Sequence, residues 1–479
     1  MMLQRPDQTE ADDLCYLSAV RALEMFRSRD LSPVELLRAQ IARAEKVEPE
    51  INAFTETFFD TAMTEARAAE ARYMSRSADP RPLEGLTVTI KDVLDQKGAC
   101  TSRGSLVFKG HRADTDHPVV ERVRQAGGII HARTTTSEFA FGWVTATRLW
   151  GVTRNPWNPE RTPGGSSGGA AASLAAGTST LAIGADSAGS IRVPAALCGV
   201  VGYKPPHGRV PDPVEGFDPY SVIGPMARSV ADCALLQNVI SGVHPADITS
   251  LRERVTLKAR EPAPGGLRLA ASFDPGKTMP EAGIVAAIRG VIAKLQAHGA
   301  EIEEPEIDWP EGVGDLALRH SACLSAPWFG DMMDRHGDEL CDYTRWTAEL
   351  MKSCSLRDLT DSYDMARQLY RAVEPVLARY DALICPVVLT NRVRADQMPW
   401  TEMRVNGVCL NSDYDWVTTA HFNMLGELPS LSVPVGFDAD GMPVGVQVVA
   451  RSFDDARAFR VAAAIEHVAG AGCGLRAPG

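Results

Sequence analysis

Leu86, Val88 and Ile90 alternate with Thr87, Thr89 and Lys91. A period of two predicts a strand over 86–91, with the lysine on its polar face at the end. Residues 129–132 predict a second strand, separated by Gly127-Gly128 from a helix over 117–126. The short apolar runs 181–185, 267–272 and 382–386 have strand length. Residues 431–437 and 444–450 flank Asp438-Ala439-Asp440-Gly441, which predicts a hairpin. Elsewhere the pattern is helical. Residues 10–80 are expected to be helices, and Ser32-Pro33-Val34-Glu35 is a capping box that opens one running to about Val47. Residues 170–176 predict a small-residue helix closed by Gly177, and Pro194 suits the first turn of another. Helices are also expected over 229–241, 281–298 and most of 314–380, with 242–266 as a polar surface linker. Strands alternating with helices predict the α/β class: a central twisted mixed sheet, covered by helices on both faces.

Composition narrows this picture. The 479 residues are enough for one large domain over 1–479, with N-terminal helices in 1–80, a core in 85–210 and a part at 267–479 that completes the sheet and a pocket. A net charge of −12 without a basic cluster argues against nucleic-acid binding. The ten cysteines, scattered from Cys15 to Cys473, have no metal or CxxC spacing and predict reduced thiols in a cytoplasmic protein. Met1 to Asp7 is polar with no apolar run behind it, so no signal peptide is expected. The longest weakly apolar run, 170–185, is too short and too polar to span a bilayer, so no membrane contact is expected. Histidines are isolated, and neither a metal nor a cofactor is called for.

The chemistry lies in two loops. Gly164-Gly165-Ser166-Ser167-Gly168-Gly169 feeds the predicted helix, whose N-terminus offers free backbone N–H groups. A flexible linker would look similar, but Asn155-Pro156-Trp157-Asn158-Pro159 and Pro163 stiffen the approach. The Gly-x-Ser-x-Gly pattern here follows no buried strand, which argues against a nucleophile elbow, and no Gly-Lys-Ser/Thr closes a phosphate loop. The second loop, Asp186-Ser187-Ala188-Gly189-Ser190-Ile191-Arg192, follows an apolar strand. Consecutive N–H groups from Ser187 to Ser190 can form an oxyanion hole. A serine nucleophile needs a base, and no histidine lies near these loops before His207. A lysine can serve if burial keeps it neutral.

These segments, with Gly199-Val200-Val201-Gly202-Tyr203-Lys204-Pro205, Gly224-Pro225-Met226-Ala227-Arg228 and Leu431-Ser432-Val433-Pro434, resemble the amidase signature family of serine hydrolases over most of the chain. The steps from Lys91 to Ser166 and from Ser166 to Ser190 fit the family spacing. The resemblance implies Ser190 as acyl-forming nucleophile, Ser166 as relay after a cis peptide bond from Gly165, and Lys91 as base. It implies Ser187, Ala188, Gly189 and Ser190 as oxyanion hole, and Ser167, Asp186 and Arg192 as residues that hold the loops. Phe141 and Gly142 would border the acyl group. Trp143, Trp150, Trp328 and Tyr363 are aromatic candidates for its pocket, although ordinary packing uses the same residues. Many members have Gly-Gly before the nucleophile where this chain has Ala188-Gly189, which is tolerable if Ala188 keeps a negative φ.

The expected activity is amidase: hydrolysis of a small-molecule carboxamide, anilide or related acyl compound. Carbamate or ester cleavage by the same route stays open, as does a homodimer. A second class is the glutaminase subunit of the tRNA-dependent amidotransferase. That subunit carries Ser-Leu-Asp-Gln before its Gly-Pro, where this chain has Asp218-Pro219-Tyr220-Ser221-Val222-Ile223. A catalytically dead binding protein is disfavoured because all three catalytic positions are filled. Ile191 stands where allophanate hydrolases usually have glycine.

Overall fold

The computed structural model describes residues 13–75, 79–213, 218–258, 263–470 and 477. Met1 to Asp7 and Cys473 lie outside them. Eleven strands build one sheet: β1 (Phe54–Thr57), β2 (Thr87–Lys91), β3 (Ile129–Thr134), β4 (Leu181–Asp186), β5 (Val201–Lys204), β6 (Val222–Ala227), β7 (Arg268–Ala271), β8 (Glu301–Glu303), β9 (Ala382–Pro386), β10 (Ser430–Phe437) and β11 (Pro443–Val449). Their order is β1-β3-β2-β4-β6-β5-β10-β11-β9-β7-β8. The triplets β3-β2-β4 and β9-β7-β8 are parallel, and the remaining pairs are antiparallel. The sheet is therefore mixed, and helices flank it.

The N-terminal segment departs from the all-helix expectation. Ser32 caps as expected, its Oγ accepting from the Glu35 N–H at 3.1 Å while Glu35 accepts from the Ser32 N–H at 2.8 Å. The helix runs Pro33–Ile51 and ends at Asn52 in the left-handed region. The Glu48 carboxylate then accepts from the N–H groups of Ala53 and Phe54. These donors are diverted from a helix, and the chain leaves as edge strand β1.

Strand β2 is enclosed throughout. Every residue of it is buried, Thr87, Thr89 and Lys91 included. Its neighbours β3 and β4 hold it inside the sheet, where Thr87 donates to Gln40 at 2.8 Å. The alternation of apolar and polar side chains thus marks two buried faces rather than one wet one.

β5, β6 and β8 lie outside the strands that the local pattern predicts. β6 carries Gly224 and Pro225, which locally signal a break, yet Pro225 stands opposite Ile183 in the middle of the sheet. The described residues of segment 242–266 are more firmly packed than a linker. Leu257 is buried and bonded to Asn238 in both directions at 2.7 Å, and the Leu251 N–H donates to Gly208. The predicted hairpin forms between β10 and β11, with Asp438 Oδ1 accepting from the N–H groups of Asp440 and Met442. Helices Val313–His336, Asp342–Met351 and Leu356–Arg379 occupy the expected helical stretch.

Candidate active site

Parallel β2 and β4 end at the same edge of the sheet, as parallel neighbours must. Ile90 is paired with Ile183, so Lys91 and Asp186 emerge there together. The helix Gly168–Ala175 begins at the same place, and Ser166 lies just before it. Lys91 Nζ donates to Ser166 Oγ at 2.7 Å, and both residues are fully buried. Burial lowers the Lys91 ammonium to about 7, and the Asp186 carboxylate only partly offsets this. At pH 7.4 an ordinary lysine is neutral in roughly one molecule in a thousand. Lys91, lowered by burial, is neutral in a far larger share of molecules and can accept a proton.

The Gly165–Ser166 peptide is cis. Gly165 faces the backbone of the Phe141–Trp143 segment so closely that a Cβ would lie 2.6 Å from the Gly142 carbonyl oxygen. Thr145 donates to the Gly164 carbonyl at 2.8 Å and ties the same two segments.

The Ser187–Ser190 loop packs against Ser167, whose N–H donates to the Ser190 carbonyl at 3.1 Å. Ser167 Oγ is shared with β4, donating to the Ala185 carbonyl and accepting from its N–H. Among the described residues, none of the N–H groups of Ser187, Ala188, Gly189 and Ser190 has a protein partner. The carbonyls of this loop are engaged instead. Thr419 Oγ1 donates to Ala188, and the Val193 N–H donates to Gly189. A row of amides is left free to receive an anion. Ala188 has a negative φ, whereas Gly189 has φ 138°. Ser190 is 9% exposed, and Ser166 and Lys91 are 0%. Burial thus deepens from Ser190 through Ser166 to Lys91.

A Cβ on Gly189 would lie 2.7 Å from the Thr419 Cβ and closer still to its hydroxyl. Gly189→Ala is expected to lower kcat/KM by about 5- to 150-fold, because relief of the clash turns the amides and costs about 1–3 kcal/mol. Steady-state kinetics with a thermal melt checks this; a wild-type rate would show that the loop geometry is not critical.

Asp186 and Arg192 brace the loop from below. The ion pair is 2.9 Å and fully buried. Burial alone would raise the Asp186 carboxyl, but Arg192, Asn423 and the Ile191 N–H outweigh it and hold it at about 2. Arg192 also donates to the Thr419 carbonyl at 3.2 Å and to Gln447 and Asn423. Asn423, Gln447 and Thr419 carry no signal in the sequence. Gln447 is a single polar residue in an apolar strand, Thr419 and Asn423 lie in one mixed segment, and only the fold brings the three to the loop. Buried Cys198 donates to the Pro163 carbonyl, and burial pushes its thiol up, so it is an unreactive packing group.

The aromatic candidates separate. Gly142 and Trp143 line a cavity of about 360 Å³ with Tyr343, Met398, Pro399 and Asp413. Lys91, Ser166 and Ser190 do not line it; the link is the 142–145 segment bonded to the Ser166 loop. Phe141 stacks edge-on with Phe329 at 5.0 Å, and Trp328 packs on Phe139 and Phe329 at 4.9 Å. Tyr363 meets Tyr220 and His320, next to Ser221, which bonds Ser187 at 2.8 Å. Trp150 donates its indole N–H to Ser102 and serves loop packing.

A model of the family described as Amidase matches residues 35–459. An acylamidase of Rhodococcus erythropolis is 34% identical over 95% of this chain and 96% of its own. A glutamyl-tRNA(Gln) amidotransferase subunit of Symbiobacterium thermophilum is 32% identical over 94% and 96%. The crystal structure of a bacterial aryl acylamidase of the amidase signature family superposes with a TM-score of 0.87 at 26% identity, covering 95% of this chain and 96% of that one. Among the described residues no helix is long and apolar enough to cross a membrane.

Proposed function

The chain belongs to the amidase signature family and hydrolyses carbon–nitrogen bonds other than peptide bonds; on that premise we propose that Ser190, Ser166 and Lys91 carry the reaction on a small-molecule acyl amide or anilide. Ser190 Oγ attacks the carbonyl carbon. Its proton passes to Ser166, whose own proton passes to neutral Lys91. The carbonyl oxygen becomes an oxyanion in the N–H row of Ser187 to Ser190. As the carbon–nitrogen bond breaks, the Lys91 proton returns through Ser166 to the departing amine. Water then attacks the Ser190 ester with the same relay, releasing the acid and restoring the serine.

The observation that carries this reading is the buried 2.7 Å bond from Lys91 to Ser166, with the amine brought to about 7. The acylamidase relatives favour an acyl amide or anilide as substrate. The sheet that takes strands from Phe54 to Val449 supports a single domain. Cys100, Cys198, Cys233, Cys323, Cys341, Cys354, Cys385 and Cys409 are free thiols, which fits a reducing, cytoplasmic setting.

A serine-directed fluorophosphonate probe followed by peptide mass mapping tests the assignment. The expected adduct is on Ser190; an adduct on Ser166 with Ser190 unmodified would reverse the roles. Ser166→Ala is expected to keep a measurable rate above that of Ser190→Ala, because a water can occupy the vacated relay position. Purified variants compared on one anilide decide this, and a more active Ser190→Ala overturns it.

The amidotransferase relative makes a glutaminase subunit the second reading. In this chain the Asp218–Ser221 turn is used otherwise, with Asp218 facing His320 at 3.3 Å and Ser221 bonded to Ser187. Co-purification with two further proteins of an amidotransferase would favour that reading.

A further inference from the structure

The wall of the cavity beside Trp143 carries a carboxylate without an ion-pair partner among the described residues. Asp413 is partly buried on its wall, and its only hydrogen bond among the described residues is a long one, 3.4 Å, from the Trp416 indole N–H. No cation among the described residues pairs with it. Of the other charged groups on the cavity wall, Asp342 pairs with Arg345 and Asp396 with Arg394 at 3.0 Å, while the Arg148 guanidinium, which has no carboxylate partner among the described residues, donates to the carbonyls of Asp338 and Leu340. Burial pushes the Asp413 carboxyl up to about 7, only partly opposed by Trp416.

The surroundings are aromatic. Trp143 packs edge-on against Tyr414 at 5.1 Å and Trp416 at 6.2 Å. The Trp143 indole N–H is buried without a partner among the described residues. A carboxylate placed among rings with no cation is costly for an empty protein. The same arrangement suits a cation, which gains both the carboxylate and the negative ring faces. Gly142 and Trp143 also belong to the segment packed on Gly165, the residue before Ser166.

We propose that Asp413 is a specificity-determining residue that receives a protonated amine on the acyl part of the substrate, so that small amides of amino-substituted acids are preferred. This rests on the amidase reading above. An amine placed at Asp413 would satisfy the carboxylate, whereas a methyl group there would leave it unpaired, and the site discriminates by that difference.

The test compares ω-aminoacyl anilides of increasing chain length with n-alkanoyl anilides of equal length, on wild type and Asp413→Asn. The wild type is expected to favour the amine by about tenfold or more in kcat/KM at one chain length. That ratio is expected to collapse toward one in the variant. Because each ratio is internal to one protein, a general loss of activity does not imitate the effect. A wild type that favours the alkanoyl series, or an unchanged ratio in Asp413→Asn, overturns the proposal. A thermal-shift titration of wild type with alkylammonium chlorides against primary alcohols of equal length reads the site without turnover. A shift no larger for the ammonium ions overturns the proposal even if Asp413→Asn does not fold. Failure of the wild type on every anilide counts against the amidase reading, whereas turnover of the alkanoyl series alone counts only against Asp413.

Discussion

Ser190→Ala is expected to lower kcat/KM for an anilide substrate by roughly 10⁴-fold or more, the scale on which loss of a serine nucleophile is felt. The reason is chemical rather than structural. Ser190 is the outermost of the three groups and its N–H closes the free row, so in the proposed mechanism its oxygen meets the carbonyl held by those amides. Ser166 is fully buried behind it and is already engaged by Lys91. The backbone of the loop is held by Ser167, Thr419 and Val193 rather than by the Ser190 hydroxyl, so the fold should survive the loss of one oxygen. Chromogenic rates with a melting curve and intact-protein mass check this. An active, well-folded Ser190→Ala protein would sink the mechanism.

The second large effect is expected from Lys91→Met, which keeps the volume of the side chain and removes the base. The wild-type rate should rise with pH and level off above an inflection near 7, because below it the amine already holds the proton it must accept. The rising limb should vanish in Lys91→Met, with a rate loss of about 10²–10⁴-fold. Lys204 is also buried and lowered to about 7, but it donates to the carbonyls of Gly426 and Pro205 and to no serine. A limb that persists in Lys91→Met would therefore point away from Lys91. Stability moves the other way. Folding lowers the Lys91 value, so the unfolded chain binds the proton more strongly, and the buried amine costs stability at every pH below about 10. Lys91→Met should raise Tm at neutral pH while removing activity, an outcome that misfolding cannot imitate.

Local sequence was sufficient wherever a residue's conformation or chemistry depends on its neighbours in the chain. The Ser32 capping box, the Asp438 hairpin turn and the helices of 314–380 are such cases, each with its donors, acceptors or apolar period within one segment. The two serine loops were legible from their own segments, the first by its proline-stiffened approach to a helix and the second by the apolar strand before it, and the family resemblance supplied their roles. Tertiary structure decided what depends on distant partners. Thr87, Thr89 and Lys91 look like the wet face of a strand until β3 and β4 enclose them, and only that enclosure lowers the lysine. Phe54–Thr57 became a strand because β3 offered an edge and Glu48 took its first donors. Gly224 and Pro225 entered a central strand because β4 pairs with them on one side, while the next residues, Met226 and Ala227, are also paired with β5 on the other. Asn423, Gln447 and Thr419 reach the nucleophile loop from more than 200 residues away, and nothing in their own segments marks them. Asp413 is one acid among many in the chain, and becomes an unmatched charge only when the fold surrounds it with Trp143, Tyr414 and Trp416 and brings no cation of the described residues to it. The chemistry of a side chain belongs to its residue type, but its protonation and its partners belong to the dielectric and the neighbours that the fold assembles around it.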